Sequence, residues 1–554
     1  MTETDQDWRA VADRYWDDLL ELEPILGTEV GDERFDDRLP DPTAAGRAHR
    51  EEVQRRALEE VAAIDRADLD MVGRTTLDLI EAIARRDLAS LEHRLDRLAS
   101  VSHLWGPGTL LADIASLQRA DTPERAARYV RRLGAVPAYL DALAEVAADG
   151  ARVGQTAPGL VVDRSISQVE RLIELAPEDA PPMRPVAEST DGTKDRVAAL
   201  VRDELWPAYG RYLDALRAYR PSARDTIGLS ALPDGDAMYA SEMLSWTSLA
   251  LPADRVHELG VEDLERIHEE RREIARSLGF DSPAAAIEAY LAGGNGVAKT
   301  RDEVVRLAEE QVQRGWDAAP RAFGRLPSSN CEVRPIEAYR EADTPFAYYQ
   351  SPSEDGSRRG VYYVNTGDLD DRPLYHLAST TYHEANPGHH FQVALEAEMG
   401  ERPSLRRFGG ILAGSSFIEG WALYCERLAD ELGLFLDDYE RLGMLEAQGM
   451  RAARLVVDTG IHAFDWDRER AIATMTDVGV PRTDAVIEVD RYVAMPGQAL
   501  AYKLGQFEIQ RWRSEAEGRE GAAFSLSDFH DHLLSLGSLP LASIERELHT
   551  SRPV

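Results

Sequence analysis

Apolar side chains recur at helical spacing along almost the whole of this 554-residue chain, and no other feature limits its fold so strongly. The pattern predicts helices over 8–22, 44–63, 77–98, 123–147, 166–175, 196–219, 253–278 and 301–319, and again from Leu374 onward. A Pro-rich run at 176–185 and the glycines Gly293, Gly294 and Gly296 read as loops between them. One segment departs from the helical period. Residues 331–336 and 347–365, where Tyr348, Tyr349, Val361, Tyr362, Tyr363 and Val364 flank an Asp355–Gly356 turn, read as a small β-hairpin. No Gly/Ser linker and no fixed-period repeat divides the chain. The expected architecture is mainly α: a single large multi-helical domain over 1–554 around a deep cleft, with a small β segment at 330–366 beside a functional core at 374–510.

The charge balance removes whole classes of function. With 99 acidic against 63 basic side chains the formal net charge is -36, so the chain lacks the cationic surplus that phosphate neutralisation requires, and no nucleic-acid partner is expected. No stretch is long and apolar enough to suggest a membrane span. Only Cys331 and Cys425 are present, too few for a disulfide framework. The first residues are acidic where a secretory leader would be basic. These features point to a cytoplasmic protein. Oligomeric state is not written in the pattern.

Five of the 13 histidines fall between His376 and His462, the densest group being His383-Glu384-Ala385-Asn386-Pro387-Gly388-His389-His390. A His followed directly by Glu, with another His downstream, suits a zinc hydrolase: two neutral imidazoles hold the metal and the Glu takes a proton from its water. The usual interval between the two histidines is four residues, which stacks them on one helix face; here Pro387 occupies that place. Thirty residues after His389, the run Phe417 to Glu426 sets Glu419 among apolar and aromatic neighbours, where a carboxylate needs a cation or a donor. Glu419 is the natural third ligand. Glu426, two turns on, could hold a ligand imidazole by its second nitrogen. The plainer alternative makes both glutamates surface acids.

Three further groups are candidates for the chemistry. Arg454, Asp458 and His462 are four apart and line one helix stripe; Arg454 could hold a substrate carboxylate, and His462, oriented by Asp458, a developing oxyanion. A structural salt bridge is the competing reading. After Pro496-Gly497 a helix restarts through Gln498 to Lys503, with Gln498 a substrate-contact candidate and Tyr502 a candidate oxyanion donor, or else a core tyrosine. The strand 361–365, with Tyr363 and Asn365, could align an extended substrate by main-chain pairing, or be purely structural.

Taken in order, HEANPGHHFQ (383–392), FIEGWALYCE (417–426), RLVVDTGIH (454–462) and PGQALAYKLG (496–505) resemble the bacterial domain-of-unknown-function 885 family, regarded as zinc metallopeptidases. More distantly the chain is similar to helical gluzincins, in which a His-Glu-x-Gly-His helix is completed by a downstream Glu. The resemblance implies one zinc per chain on His383, His389 and Glu419, with Glu384 as general base. It also bears on His389 against His390. In a regular helix, at about 100° per residue, His390 would return to the face of His383. Pro387 cannot continue such a helix; if Asn386 and Pro387 are absorbed as an insertion, with Asn386 capping the second segment, Gly388-His389 falls back on the family pattern. His389 is therefore expected on the metal and His390 behind it or on the substrate. The implied function is hydrolysis of peptide or other small amide bonds. The alternatives are a non-peptide specialised metabolite as substrate, or a non-catalytic helical scaffold with structural zinc.

Overall fold

Helix-forming sequence with well-placed ends dominates the computed structural model, which describes residues 3–294, 296–338, 341, 346–352 and 358–550. Where caps and periodicity agree, the expected helices stand. Pro123–Val153 begins behind Thr122, whose side chain accepts from Arg125 N–H, and stops at Gly154, which takes φ 75°. The expected helix 77–98 divides instead into Met71–Glu92 and Asp96–Ala99. Asp70 starts it a turn early by accepting from Gly73 N–H, and Arg94 breaks it with a left-handed backbone, φ 49°.

The helices bury two large cores, each drawing on distant parts of the chain. In one, Trp8, Leu19, Leu77 and Ile80 from the first helices meet Phe417, Trp421, Ile509 and Trp512. In the other, Tyr129, Leu133, Val162 and Tyr209 meet Val456, Val457, Ile461 and Ile472. The helices Ser416–Glu431, Asp438–Ala463 and Ala501–Glu520 thus run between N-terminal layers, and chemistry placed on them is held from both sides.

The β segment forms a three-stranded sheet in the order β1 (Glu332–Pro335), β3 (Val361–Val364), β2 (Ala347–Gln350). β2 and β3 pair antiparallel, as a hairpin requires, while β1 pairs parallel with the other edge of β3. The Asp355–Gly356 turn lies outside the described residues. β3 is therefore central, with both edges already paired. It cannot take an extended substrate by strand addition, and the expectation for 361–365 is corrected. Tyr363 stacks on Tyr348 at 4.9 Å, and Asn365 donates to Glu341 O and accepts from Gly367 N–H; both belong to the sheet and its following turn. The sheet packs through Tyr362 and Val364 on Val304, Ala308, Leu377 and Ala385, which fixes the start of the helix bearing His383.

Candidate metal centre

The helix Leu377–Glu384 ends where the sequence forces it to end. Pro387 has no N–H for the carbonyl of residue 383, and the chain turns at Ala385 (φ -107°, ψ -107°) before the next helix, His389–Ala397, begins. The turn survives burial because a neighbouring helix satisfies its carbonyls. Trp421 Nε1–H donates to Pro387 O and Gly388 O, and the Cys425 thiol to Pro387 O. Gly388 is required for close approach: a Cβ there would lie 1.9 Å from His383 O. Asn386 does not cap the second helix as expected. Its amide donates to Val312 O and Asn330 Oδ1, tying the turn to the layer behind.

This turn brings His389 back over His383. Nε2 of His383 lies 3.7 Å and Nε2 of His389 3.5 Å from Glu419 Oε2, the two rings stand perpendicular at 4.9 Å, and one ligand atom from each residue lies within 4.8 Å of the others. Donors at about 2.1 Å from a tetrahedral ion would be roughly 3.4 Å apart, so the three fit a zinc-sized cation. His383 is prepared for such a role. Its Nδ1 contacts Glu426 Oε1 at 2.9 Å, and an ionised carboxylate only accepts, so Nδ1 carries a proton and Nε2 is the nitrogen that faces the cluster. His390 is turned away, with Nε2 against Ser329 O at 2.9 Å and Nδ1 against the Tyr349 hydroxyl at 3.0 Å. Burial pushes it down to about 4.

Electrostatics around the cluster favour a cation between its donors. Burial opposes charging of His383, yet the carboxylates of Glu419 and Glu426 push it up to about 9. Burial likewise works against ionised Glu419, but the two imidazoles hold it far below the usual carboxylate range. Glu384, next to His383 and half-buried, is shifted the other way. Desolvation raises it against the pull of His389 and His383, the condition that suits a proton acceptor.

The remaining candidates divide. Tyr502 is half-buried, and its hydroxyl is raised first by burial and then by the charge of Glu419, so it lies within the field of that carboxylate. Arg454 lies across its ring at 4.5 Å, while its Nε and Nη2 bind Tyr492 and Glu488. Gln498 accepts from Arg491 and supports that arginine. His462 is not positioned for an oxyanion: Nε2 donates to Tyr492 O, Nδ1 accepts from Leu229 N–H, and burial pushes it down to about 3. Asp458 does not orient it. Asp458 accepts from the Tyr239 hydroxyl and from Gly497 N–H, and so anchors the turn that leads to Tyr502. The oxyanion expectation for His462 and the orienting role for Asp458 are corrected: four-residue spacing put both on one buried face, but that face meets packed backbone.

Several contributors escaped the sequence reading. Gln448 Nε2–H donates to Glu426 Oε2, and Gln448 Oε1 accepts from Lys503, which also pairs with Asp263 at 2.9 Å. Burial lowers Lys503 to about 8. A lysine in an apolar helical run, one of only three in the chain, was the available signal. Arg451 and Arg491 were also missed.

A cavity of about 550 Å³ reaches Pro496 and is lined by Arg50, Trp105, Arg224 and Glu242, without any member of the His383 cluster. Among the described residues no helix is long and apolar enough to cross a membrane. No curated protein matches the chain significantly. Among solved structures, a candidate lipoprotein of Colwellia psychrerythraea is similar at 26% identity and TM-score 0.90, covering 99% of both chains. A candidate lipoprotein of unknown function from Shewanella oneidensis is similar at 20% identity and TM-score 0.81, covering 98% of this chain and 99% of that one. Residues 24–548 match the model of the family described as bacterial protein of unknown function (DUF885), and the chain belongs to that family.

Proposed function

We propose that the protein is a hydrolase that uses one zinc ion to cleave amide bonds of small peptides. The observation that carries this reading is the convergence of His383, His389 and Glu419 with Glu384 directly attached. Three protein donors of this composition are those of an open catalytic zinc site, whereas a structural site closes with four. Zinc held there would supply Lewis acidity toward a carbonyl and make a water acidic at neutral pH. Glu384 accepts the proton of the attacking water and returns it to the leaving nitrogen. The Tyr502 hydroxyl donates to the oxygen that gains charge. Glu426 and Gln448 keep His383 in one tautomer throughout. The two cysteines are buried and unpaired, which fits the cytoplasm, whereas the similar solved structures are described as candidate lipoproteins; fractionation of the native protein decides between them.

Metal analysis with a peptide-hydrolysis assay tests the assignment. Wild type and His390→Ala should each hold one zinc per chain. His389→Ala and Glu419→Ala should lose it, and Glu384→Gln should keep it while turnover falls by about 10²- to 10⁴-fold, the range that general-base loss costs. Zinc retained by His389→Ala but lost by His390→Ala would overturn the ligand assignment. Full activity in Glu384→Gln would overturn the mechanism.

A further inference from the structure

The helix Asp438–Ala463 passes the metal centre with a stride of three. Gln448 reaches Glu426, and Arg454, two strides on, lies over the Tyr502 ring. Arg451 stands between them and so points between Glu426 and Tyr502; its positive charge bears on Glu384, Glu426 and Tyr502 alike. It is half-buried, its Nη1 donates only to Ala447 O in its own helix, its Nε has no hydrogen-bond partner, and among the described residues it forms no ion pair. Arg454 is buried, and its Nη1 is likewise unpartnered. Arg491 completes the group, and Arg454 and Arg491 share one carboxylate, that of Glu488. Two of these guanidiniums thus share one acid, Glu488, and Arg451 has only the through-space charges of Glu384 and Glu426, the latter, like Glu419, held by an imidazole. Burying guanidinium N–H groups without acceptors is costly. In a chain of net charge -36 an anionic ligand would have to be drawn in by such incompletely paired arginines, since the field of the whole molecule repels anions.

We propose that Arg451 and the Nη1 edge of Arg454 bind the free carboxylate of the substrate's C-terminal residue, so that the enzyme removes C-terminal residues or splits dipeptide-like amides. The inference rests on the hydrolase reading and adds the substrate class. Arg454 covers the ring of the tyrosine assigned to the carbonyl, so the anion and the scissile bond lie about one residue apart, a Cα step of roughly 3.8 Å. A guanidinium is the group suited to the second, carboxylate end of such a substrate, because its planar fork matches two oxygens at once.

The test uses the zinc-loaded full chain and two degenerate tripeptide mixtures, one with free C-termini and one amidated, with cleavage followed by mass spectrometry. Wild type should favour the free acids by about 10- to 100-fold in kcat/KM, the range expected for a charge-assisted pair. Arg451→Met should collapse that ratio toward one, chiefly through KM, and Arg451→Lys should keep part of it. Zinc content and Tm of each variant show whether it has folded, and if Arg451→Met has not, the wild-type ratio and Arg451→Lys decide. Equal rates of wild type on both mixtures would overturn the carboxylate inference and leave the hydrolase reading standing, as would an unchanged ratio in folded Arg451→Met. Cleavage of neither mixture by zinc-loaded protein would overturn both.

Discussion

At the scale of single residues, the proposed centre separates groups that would meet the reacting atoms from groups that would hold them. Tyr502 belongs to the first set in our reading: burial, and then the charge of Glu419, raise its hydroxyl, which keeps the proton on oxygen, and Arg454 lies over its ring. Tyr502→Phe should lower kcat by on the order of 10²-fold with KM little changed, since an oxyanion donor acts after attack; steady-state kinetics on a free-acid peptide checks this, and an unchanged kcat would return Tyr502 to the core. His383 and Glu384 could be singled out in the sequence by the His-Glu pair with a His downstream, and Glu419 because a carboxylate among apolar neighbours demands a partner. His462 and Asp458 could not be placed. Helical spacing gives a residue's face but not what covers that face, and here the cover is Tyr492 O and Leu229 N–H for one and Gly497 N–H for the other. Arg451 was missed for the same reason in reverse, since nothing local distinguishes an arginine that faces a metal centre from one that faces water.

At the scale of elements, the distance between Glu419 and Tyr502 is set by a helix crossing with no side chains in it. The helices Ser416–Glu431 and Ala501–Glu520 touch through Gly420 and Gly505, where a Cβ on Gly505 would lie 1.9 Å from Ser416 O and 2.9 Å from the Cα of Gly420. Such contacts are with backbone, which cannot rotate away. Gly505→Ala should therefore push the helices apart, costing about 1–3 kcal/mol of stability as overpacking does and moving Glu419 and Tyr502 relative to each other. The expected result is a lower Tm together with weaker zinc retention against a chelator. A loss of Tm with unchanged zinc affinity would show that the crossing is purely structural. The helices themselves were legible from periodicity, but this crossing was not, because a glycine reads as an interruption in sequence and as a contact only in three dimensions. The sheet shows the same limit. The hairpin of β2 and β3 follows from local pattern, whereas the parallel pairing of β1, which makes β3 central, carries no local signal.

At the scale of the whole molecule, every proposed ligand and catalytic group lies after position 330, yet the helices that bear them are packed by side chains from the first 210 residues. Trp421, Ile509 and Trp512 are covered by Trp8, Leu19, Leu77 and Ile80, and Val456, Val457 and Ile461 by Tyr129, Leu133 and Tyr209. Uncovering a large apolar side chain costs about 1.5–3 kcal/mol, so exposing six of them would cost about 9–18 kcal/mol, as much as the roughly 5–15 kcal/mol that holds a typical domain together. A fragment of residues 330–554 should accordingly fail to fold, binding hydrophobic dye and retaining no stoichiometric zinc, although it holds all the proposed ligands. The full chain should unfold in one transition, coincident by circular dichroism and tryptophan fluorescence and shifted upward together by added zinc, because a ligand of the native state alone stabilises whatever unfolds with its site. Two separated transitions, only the later of them moved by zinc, would mean that the N-terminal helices form an independent unit. In that case the His383, His389 and Glu419 cluster would owe its geometry to the C-terminal helices alone.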